Sequence, residues 1–552
     1  MSAPDLLAVL RERFGHAAFR PGQERILRDL LAGRDVLAVL PTGAGKSLPY
    51  QLAAQLLPGV TIVVSPLLAL MKDQVESLAE RGLEVGWLSG TQSESQLNET
   101  LASSADGNGG PKLLYVTPER FENEQFMAKA SQLRVSLFVV DEAHSISQWG
   151  HGFRPAYLSL GDALNRLGQR PTVLALTATA TSWVRADIVE RLGLRDPDVV
   201  VRGVDRPNLY FEVARVEEER LDRRVLRHLL LDEPEGPPGL AEVMQGSGIV
   251  YAATVRGAEE TAGWLQEWGI AADAYHGRRK KSERDRVQAA FMAGELRVIA
   301  ATNAFGLGVD KPDVRFVIHR DIPANLESYY QEAGRAGRDG QLARCTLIYR
   351  PGDLGRAAFL AGGGELTREE VVQAHAGLVR QRAGTLRELQ AATGLGRADL
   401  IRLVAILMAE GILEQRRGRL RLRVADFDPT LVPLDAEEHR RAYERSRLDM
   451  MRGYAELREC RRRYILNYFG AEYPAEGCGM CDVDLARPRQ PRVAPADPPL
   501  ALAVADRVRH AGWGTGVVQR VTADTLTVLF DTAGYKTLAA DLVRDQSLLE
   551  KL

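Results

Sequence analysis

The stretch Val36-Leu37-Ala38-Val39-Leu40-Pro41-Thr42-Gly43-Ala44-Gly45-Lys46-Ser47 decides the architecture. Its first five residues are an unbroken apolar run that ends in a proline and a glycine-rich turn, as a strand buried on both faces of a parallel sheet does. The glycines let backbone amides close around a phosphate, and a helix starting at Ser47 would add its dipole. Lys46 is placed to reach the β- and γ-phosphates and Ser47 to ligate Mg²⁺. Leu40 stands where the strict pattern has its first glycine, so the motif departs by one position while keeping its strand-turn-helix setting.

Working outward, apolar runs of the same length recur at helical intervals: Thr61–Val64, Leu113–Val116, Leu137–Val140 and Val173–Leu176. After Arg206-Pro207-Asn208 a second series follows at Gly248–Ala252, Arg297–Ala301, Arg315–His319 and Cys345–Tyr349. This strand-helix alternation predicts two parallel sheets in tandem, each covered by helices, with a cleft between them. The run Leu137–Val140 ends in Asp141-Glu142, at the strand terminus where open α/β sheets place their ligands. One of these carboxylates can hold Mg²⁺ and the next can orient a water. Directly behind them come Gln148, Trp149, His151, Phe153 and Arg154, residue types that stack on bases and grip phosphates, or fill a core.

The chain has 552 residues, too many for one core, and a net charge of −2, so a nucleic-acid surface would have to be local. Four cysteines, no N-terminal apolar leader and no run long enough to cross a bilayer point to a reducing, cytoplasmic setting without membrane contact.

Beyond Asp353, helices are predicted at 368–382, 386–394 and 397–410, followed by an alternating hairpin with Arg416, Arg417 and Arg419 around Gly418. Three helices and a hairpin is the order of a winged helix. Five arginines in the eight residues 416–423, without an intervening acid, favour phosphate contact over a merely solvated hairpin. The hairpin tip carries no aromatic that would stack on an end base pair. Cys460, Cys478 and Cys481 cluster in sequence, which points to metal rather than to a disulfide. Residues 488–499 are proline-rich and read as a linker, and short strands beyond 500 suggest a small β-barrel.

These motifs together resemble the RecQ-type DNA helicases of helicase superfamily 2. Phe19-Arg20-Pro21-Gly22-Gln23 resembles the adenine-reading element, with Phe19, Arg20 and Gln23 as its contacts. Ser65-Pro66-Leu67-Leu68-Ala69-Leu70-Met71-Lys72-Asp73-Gln74 resembles the strand-gripping segment, and Gln148–Pro155 the aromatic-rich loop, with Gly152 where an aspartate is expected. Asp205–Leu209, Tyr275-His276-Gly277, Ala301–Pro312 and Gln331–Gly340 are the matching motifs of the second lobe.

The resemblance implies a multidomain α/β protein with two RecA-like lobes at 1–204 and 205–353. A winged-helix-like domain at 365–426 would follow, then a helical zinc-module-like segment at 427–487 and a barrel at 500–552. It implies ATP and Mg²⁺, with Lys46, Asp141, Glu142, Gln331, Arg335 and Arg338 serving hydrolysis. A cation reaching across the cleft would stabilise the charge that builds on the γ-phosphate. Arg338 is favoured for that task, with Arg335 as its partner or a second such group; a salt bridge to Glu142 or another acid in the cleft is the alternative. The zinc module normally has a fourth cysteine where Asp484 stands. Cys460, Cys478, Cys481 and Asp484 are therefore the expected Zn²⁺ ligands, with Asp482 or water as other candidates for the fourth place.

The tail, including Asp506-Arg507-Val508-Arg509-His510 and Trp513, is similar to the Tudor-like barrel that ends UvrD/PcrA helicases. That likeness implies a protein partner such as RNA polymerase or a repair factor, although a small barrel could also contact nucleic acid or pack on the body. The function implied is ATP-driven 3′ to 5′ translocation on single-stranded DNA and unwinding of forked DNA, in repair and recombination, in the nucleoid-associated cytoplasm. A DNA-stimulated remodeller that unwinds little and a DEAH RNA helicase are the alternatives.

Overall fold

A computed structural model describes residues 5–552 apart from 42, 67, 89–110, 148–153, 203–204, 217–221, 233–235, 307–310, 356–365, 417–418, 472, 474–476, 487–501, 505, 522–524 and 546–547. Thr42, Gln148, Trp149, His151, Phe153 and Arg417 thus lie outside the described residues. The chain divides into two compact units, one holding 1–321, 327–349 and 454–494, the other 322–326, 350–453 and 495–552.

The first unit contains two wholly parallel sheets. Strands β1 (Val36–Val39), β2 (Val60–Val64), β3 (Val85–Leu88), β4 (Leu113–Val116), β5 (Val135–Val140), β6 (Thr172–Thr177) and β7 (Asp198–Val201) form the first, in the order β3-β4-β2-β5-β6-β1-β7. Strands β8 (Leu209–Arg215), β9 (Ser247–Tyr251), β10 (Ala272–Tyr275), β11 (Val298–Ala301), β12 (Val314–His319) and β13 (Ala343–Tyr349) form the second, in the order β10-β11-β9-β12-β13-β8. Each of β1, β2, β4 and β11 is buried at every position, as helices on both faces require. Successive side chains of one strand enter opposite faces: Leu37 and Val39 join one apolar core of the first sheet, Val36 and Ala38 the other.

Three helices matter for the first sheet's edge of functional residues: α1 (Gln23–Leu31), α2 (Ser47–Leu56) and α3 (Leu68–Glu80). The second sheet contributes α4 (Leu326–Ala333).

In the second unit, α5 (Arg368–Gln381), α6 (Leu386–Thr393) and α7 (Arg397–Ala409) surround a core that includes Leu378, Leu389, Leu403 and Leu413. Thr367 and Thr385 each form a capping box with the glutamate three residues on, which fixes where α5 and α6 begin. A three-stranded antiparallel sheet completes the domain: β14 (Ala383–Gly384), β15 (Leu413–Arg416) and β16 (Arg419–Leu422), in the order β14-β16-β15. A long helix, α8 (Asp435–Ala455), follows.

The C-terminal segment forms a five-stranded antiparallel sheet, β17 (Arg507–His510), β18 (Gly514–Val521), β19 (Thr525–Phe530), β20 (Gly534–Ala539) and β21 (Glu550–Lys551). It rests on α8. Gly534 has φ +68°, and a Cβ there would overlap Ser446, so the turn needs glycine for both conformation and clearance. The rings of Tyr443 and Tyr535 stack beside it at 6.2 Å. Among the described residues, no helix is long and apolar enough to cross a membrane.

Candidate functional site

The phosphate turn lies between β1 and α2, with Gly43 at φ +84° and Gly45 at φ +73°. Gln23, at the start of α1 and almost fully buried, donates from Nε2 to the carbonyls of Ala44 (3.0 Å) and Gly45 (2.9 Å). Arg20 Nη1 donates to the Gly43 carbonyl, and the Arg20 amide donates to Gln23 Oε1 at 2.8 Å. The element expected to read adenine therefore also grips the phosphate turn from outside. Phe19 packs against the core of the first sheet.

Asp141 leaves the end of β5, where its amide donates to the Val64 carbonyl at 2.9 Å. Glu142 sits at φ 49°, the left-handed region that side chains rarely adopt, so the chain turns sharply as it leaves β5. Lys46 Nζ lies 3.7 Å from Glu142 Oε1. Glu142 Oε2 is buried, 3.4 Å from His144 Nδ1, and has no hydrogen-bond partner among the described residues. His144 Nδ1 is already committed to Thr177 Oγ1 at 2.9 Å. The remaining lone pairs of Glu142 suit the acceptance of a water proton.

Burial, then the neighbouring Glu142 charge, push the Asp141 carboxyl up to about 6, against the opposing pull of Lys46. A carboxylate so desolvated gains most from a cation. Asp141 and the Ser47 hydroxyl are hard oxygen donors that fit Mg²⁺. Behind Ser47 lies a feature the sequence reading missed: Tyr50, one turn along α2, sets its hydroxyl 3.2 Å from that of Tyr115 on β4. Tyr50 is hydrogen-bonded to Ser47, and burial raises both phenols well above their ordinary range, so the pair stays neutral behind the Ser47 hydroxyl.

The aromatic loop itself lies outside the described residues, but the residues that directly follow it are fixed. Tyr157 donates to the Asp141 carbonyl at 2.9 Å, and Arg154 Nη1 to the Pro66 carbonyl at 3.2 Å. Arg154 therefore contacts the segment expected to grip the strand. In α3 of that segment, Gln74 accepts from Gln51 of α2 at 3.0 Å.

From the second sheet, Gln331 lies in the last turn of α4, and the turn 334–341 follows. Arg335 is buried and donates to the Gly306 carbonyl. Arg338 lies against the phosphate turn: a Cβ on Gly43 would stand 3.3 Å from Arg338 Cγ. The structure thus brings Lys46, Ser47, Asp141, Glu142 and Arg338 together, with Arg335 engaged at Gly306 on the same lobe.

The cysteine cluster lies at the starts of helices α9 (Arg461–Tyr468) and α10 (Asp482–Ala486), with Cys460 just before the first and Cys478 and Cys481 before the second. Ligand atoms of Cys460, Cys478, Cys481 and Asp484 all lie within 4.8 Å of one another. Asp484 Oδ2 accepts from the amides of Cys478 (2.6 Å) and Gly479 (3.3 Å), which orient the carboxylate into the cluster. Three thiols and one carboxylate fit Zn²⁺. Asp482, the other candidate for the fourth place, is engaged elsewhere. Its two oxygens pair with Arg461 (2.5 and 2.8 Å), and Oδ2 also accepts from the Val213 amide at 3.0 Å, which caps the edge of β8. In the hairpin, Arg419 lies 3.3 Å from Glu388 of α6 with both side chains largely exposed.

Two tandem parallel sheets, with a phosphate turn and an acidic strand end on one and an arginine-bearing turn on the other, define a two-lobed helicase of the DEAD/DEAH-box class. Residues 20–186 match the DEAD/DEAH box helicase family, 228–340 the helicase conserved C-terminal domain and 410–485 the RecQ zinc-binding family. The chain is 35% identical over 506 residues to the probable ATP-dependent DNA helicase RecS of Bacillus subtilis, covering 89% of this chain and 96% of that protein. It is 36% identical to the ATP-dependent DNA helicase RecQ of Synechocystis, covering 86% of this chain and 97% of the relative. The ATP-dependent DNA helicase RecQ of Bacillus subtilis is 40% identical, but the match spans 64% of this chain and 57% of that longer protein. Among solved structures, the DUF1998 helicase MrfA bound to DNA superposes with a TM-score of 0.52 at 16% identity, covering 78% of this chain and 64% of that one. The chain belongs to the RecQ family of helicases.

Proposed function

We propose that the protein is an ATP-dependent DNA helicase that moves 3′ to 5′ along single-stranded DNA and opens forked duplexes in repair and recombination. The observation that carries the reading is the seating of Arg338, from the second lobe, against Gly43 of the phosphate turn in the first. A cation contributed across the cleft ties hydrolysis to cleft closure, and closure moves the two lobes along a bound strand. Lys46 binds the β- and γ-phosphates, Glu142 orients the attacking water, and Arg338 stabilises charge on the γ-oxygens. Gln331 completes that edge, and Arg335 supports it from Gly306. Ser47 and Asp141 would hold Mg²⁺, which when bound neutralises the phosphate charge.

The aromatic loop, with Trp149 and Phe153, senses the strand. Because Arg154 and Tyr157, just after the loop, are tied to Pro66 and Asp141, strand contact reaches the acidic pair through a short path. Cys460, Cys478, Cys481 and Asp484 would hold Zn²⁺, which when bound crosslinks the start of α9 to the 478–484 segment. We infer that 365–426 is a winged helix whose Arg416, Arg417 and Arg419 touch phosphates, and that the C-terminal sheet is a Tudor-like partner module.

A remodeller that unwinds little is the second reading, favoured by the pairing of Arg419 with Glu388, which engages one hairpin charge within the domain. The deciding experiment compares unwinding of forked DNA, displacement of streptavidin from biotinylated DNA, and ATP turnover stimulated by DNA or RNA. The first reading expects fork opening and preferential DNA stimulation, both lost in Lys46→Ala. Streptavidin displacement without fork opening would select the second reading, and stimulation by RNA alone would overturn both.

A further inference from the structure

The turn that carries Arg335 and Arg338 is Gly334-Arg335-Ala336-Gly337-Arg338-Asp339-Gly340, a glycine-rich segment with little stiffness of its own. A cation that must meet a phosphate within a fraction of an ångström cannot be held by such a backbone alone. The structure supplies the restraint from the segment just before β8. Arg206 donates from Nη1 to the Gly334 carbonyl at 3.0 Å, and from Nη2 to the carbonyls of Ala336 and Gly337, both at 2.8 Å. Asn208 Nδ2 donates to the carbonyls of Gly337 (2.8 Å) and Gln341 (2.7 Å). Gly337 has φ +56°, and a Cβ there would overlap the Asn208 amide nitrogen. Five carbonyl contacts from two side chains therefore bracket both arginines.

That segment is itself held from a third element. Arg462, buried on α9, donates from Nη1 to Asp205 Oδ1 and the Arg206 carbonyl, both at 2.6 Å. Its Nη2 donates to the carbonyls of Pro207 (3.3 Å) and Leu209 (2.7 Å). Cys460 immediately precedes α9, so the cysteine cluster fixes the end of the helix from which Arg462 reaches.

We propose that Arg206 and Asn208 are positioning residues that hold Arg338 and Arg335 in register for ATP hydrolysis, and that Arg462 braces them from the cysteine-bearing module. A guanidinium suits this task because its planar fork presents several donors in fixed directions, which lysine cannot reproduce. The proposal rests on Arg338 serving the γ-phosphate. It predicts a loss confined to turnover, since neither Arg206 nor Asn208 is expected to touch nucleotide.

The test measures kcat and KM for ATP at saturating single-stranded DNA, together with the thermal midpoint, for Arg206→Lys, Asn208→Ala, Arg462→Ala, Arg338→Ala and the double variant Arg206→Lys/Arg338→Ala. Arg206→Lys is expected to lower kcat by about 100-fold with KM within about threefold, the scale set by a misplacement of about 1 Å. Asn208→Ala and Arg462→Ala should each lose about tenfold, and the double variant should be no slower than Arg338→Ala alone, because both changes remove one contribution. Full turnover in Arg338→Ala would overturn the role of Arg338 and with it the functional reading. A slow Arg338→Ala beside Arg206→Lys and Asn208→Ala of unchanged kcat, or an additive double variant, would overturn only the positioning role. Should Arg206→Lys fail to fold, Asn208→Ala decides alone, since it keeps the Arg206 contacts.

Discussion

Two closely spaced acidic pairs, Asp141-Glu142 and Asp482-Val483-Asp484, divide their labour by different means. In the first, Asp141 closes a strand and Glu142 follows it directly in a left-handed backbone conformation. Both remain in one site, close enough that the charge of Glu142 raises the Asp141 pKa. In the second, the two aspartates lie on one short helix two residues apart, so they emerge about 200° from each other around its axis. Asp484 turns into the cysteine cluster, while Asp482 turns to Arg461 and the Val213 amide. A strand end thus concentrates two acids on one chemistry, and a helix distributes them between a metal site and a sheet edge.

The largest expected effect tests the first pair. Glu142→Gln removes the group proposed to orient the attacking water but keeps a similar shape, and should lower ATP turnover by about 10² to 10⁴-fold, the range for losing a general base. Nucleotide affinity, read by fluorescent-nucleotide titration, should stay close to that of the unmodified protein. Turnover within threefold of normal would move the water-orienting task to another residue and break the contrast with Asp484.

Next comes the division within the second pair. Asp484→Ala should lower the zinc retained per chain, measured by elemental analysis after dialysis against a chelator, whereas Asp482→Ala should retain it. Asp482→Ala should instead lower the thermal midpoint, because Arg461 would be left buried without its carboxylate. Equal zinc loss in both variants would show that the helix does not separate the two tasks.

These contrasts also show what was legible in the sequence. The nine strands foreseen in the two lobes, β1, β2, β4, β5, β6, β9, β11, β12 and β13, are all interior to their sheets. Burial on both faces makes such strands continuous apolar runs. The four that were not foreseen, β3, β7, β8 and β10, are the sheet edges, where Gly86, Asp198 and Asp273 are only partly enclosed and Glu212 is buried against Arg344, each interrupting the apolar run. In the nucleotide site, groups that lie together in sequence were foreseen: Lys46 with Ser47, and Asp141 with Glu142. What was missed reaches its target from a distance in the chain. The Tyr50 and Tyr115 hydroxyls meet across 65 positions, and Arg206 reaches the 334–341 turn across more than a hundred. Spacing cannot report such pairs, because the parallel crossovers bring them together. Asp484, by contrast, was already the expected fourth ligand from the resemblance, and the structure places it with the three cysteines while Asp482 pairs with Arg461.

The smallest expected effect is a pH dependence that belongs to the first pair alone. The Asp141 carboxyl is raised to about 6, by burial first and by Glu142 second. The folded state therefore holds this proton more tightly than the unfolded chain does. Its contribution to the stability of the nucleotide-free protein is present at low pH and lost as pH rises through 6. Binding is expected to have the opposite sign, because Mg²⁺ held by Asp141 as proposed would require the ionised carboxylate. Magnesium-dependent nucleotide binding should weaken as pH falls below 6, measured by calorimetric titration between pH 5 and 8. Glu142→Gln should move that midpoint down toward the ordinary carboxylate range, since it removes the like charge and leaves burial and Lys46 in place. An unmoved midpoint would mean that burial alone sets the Asp141 proton, and that the two carboxylates share a site without sharing a charge balance.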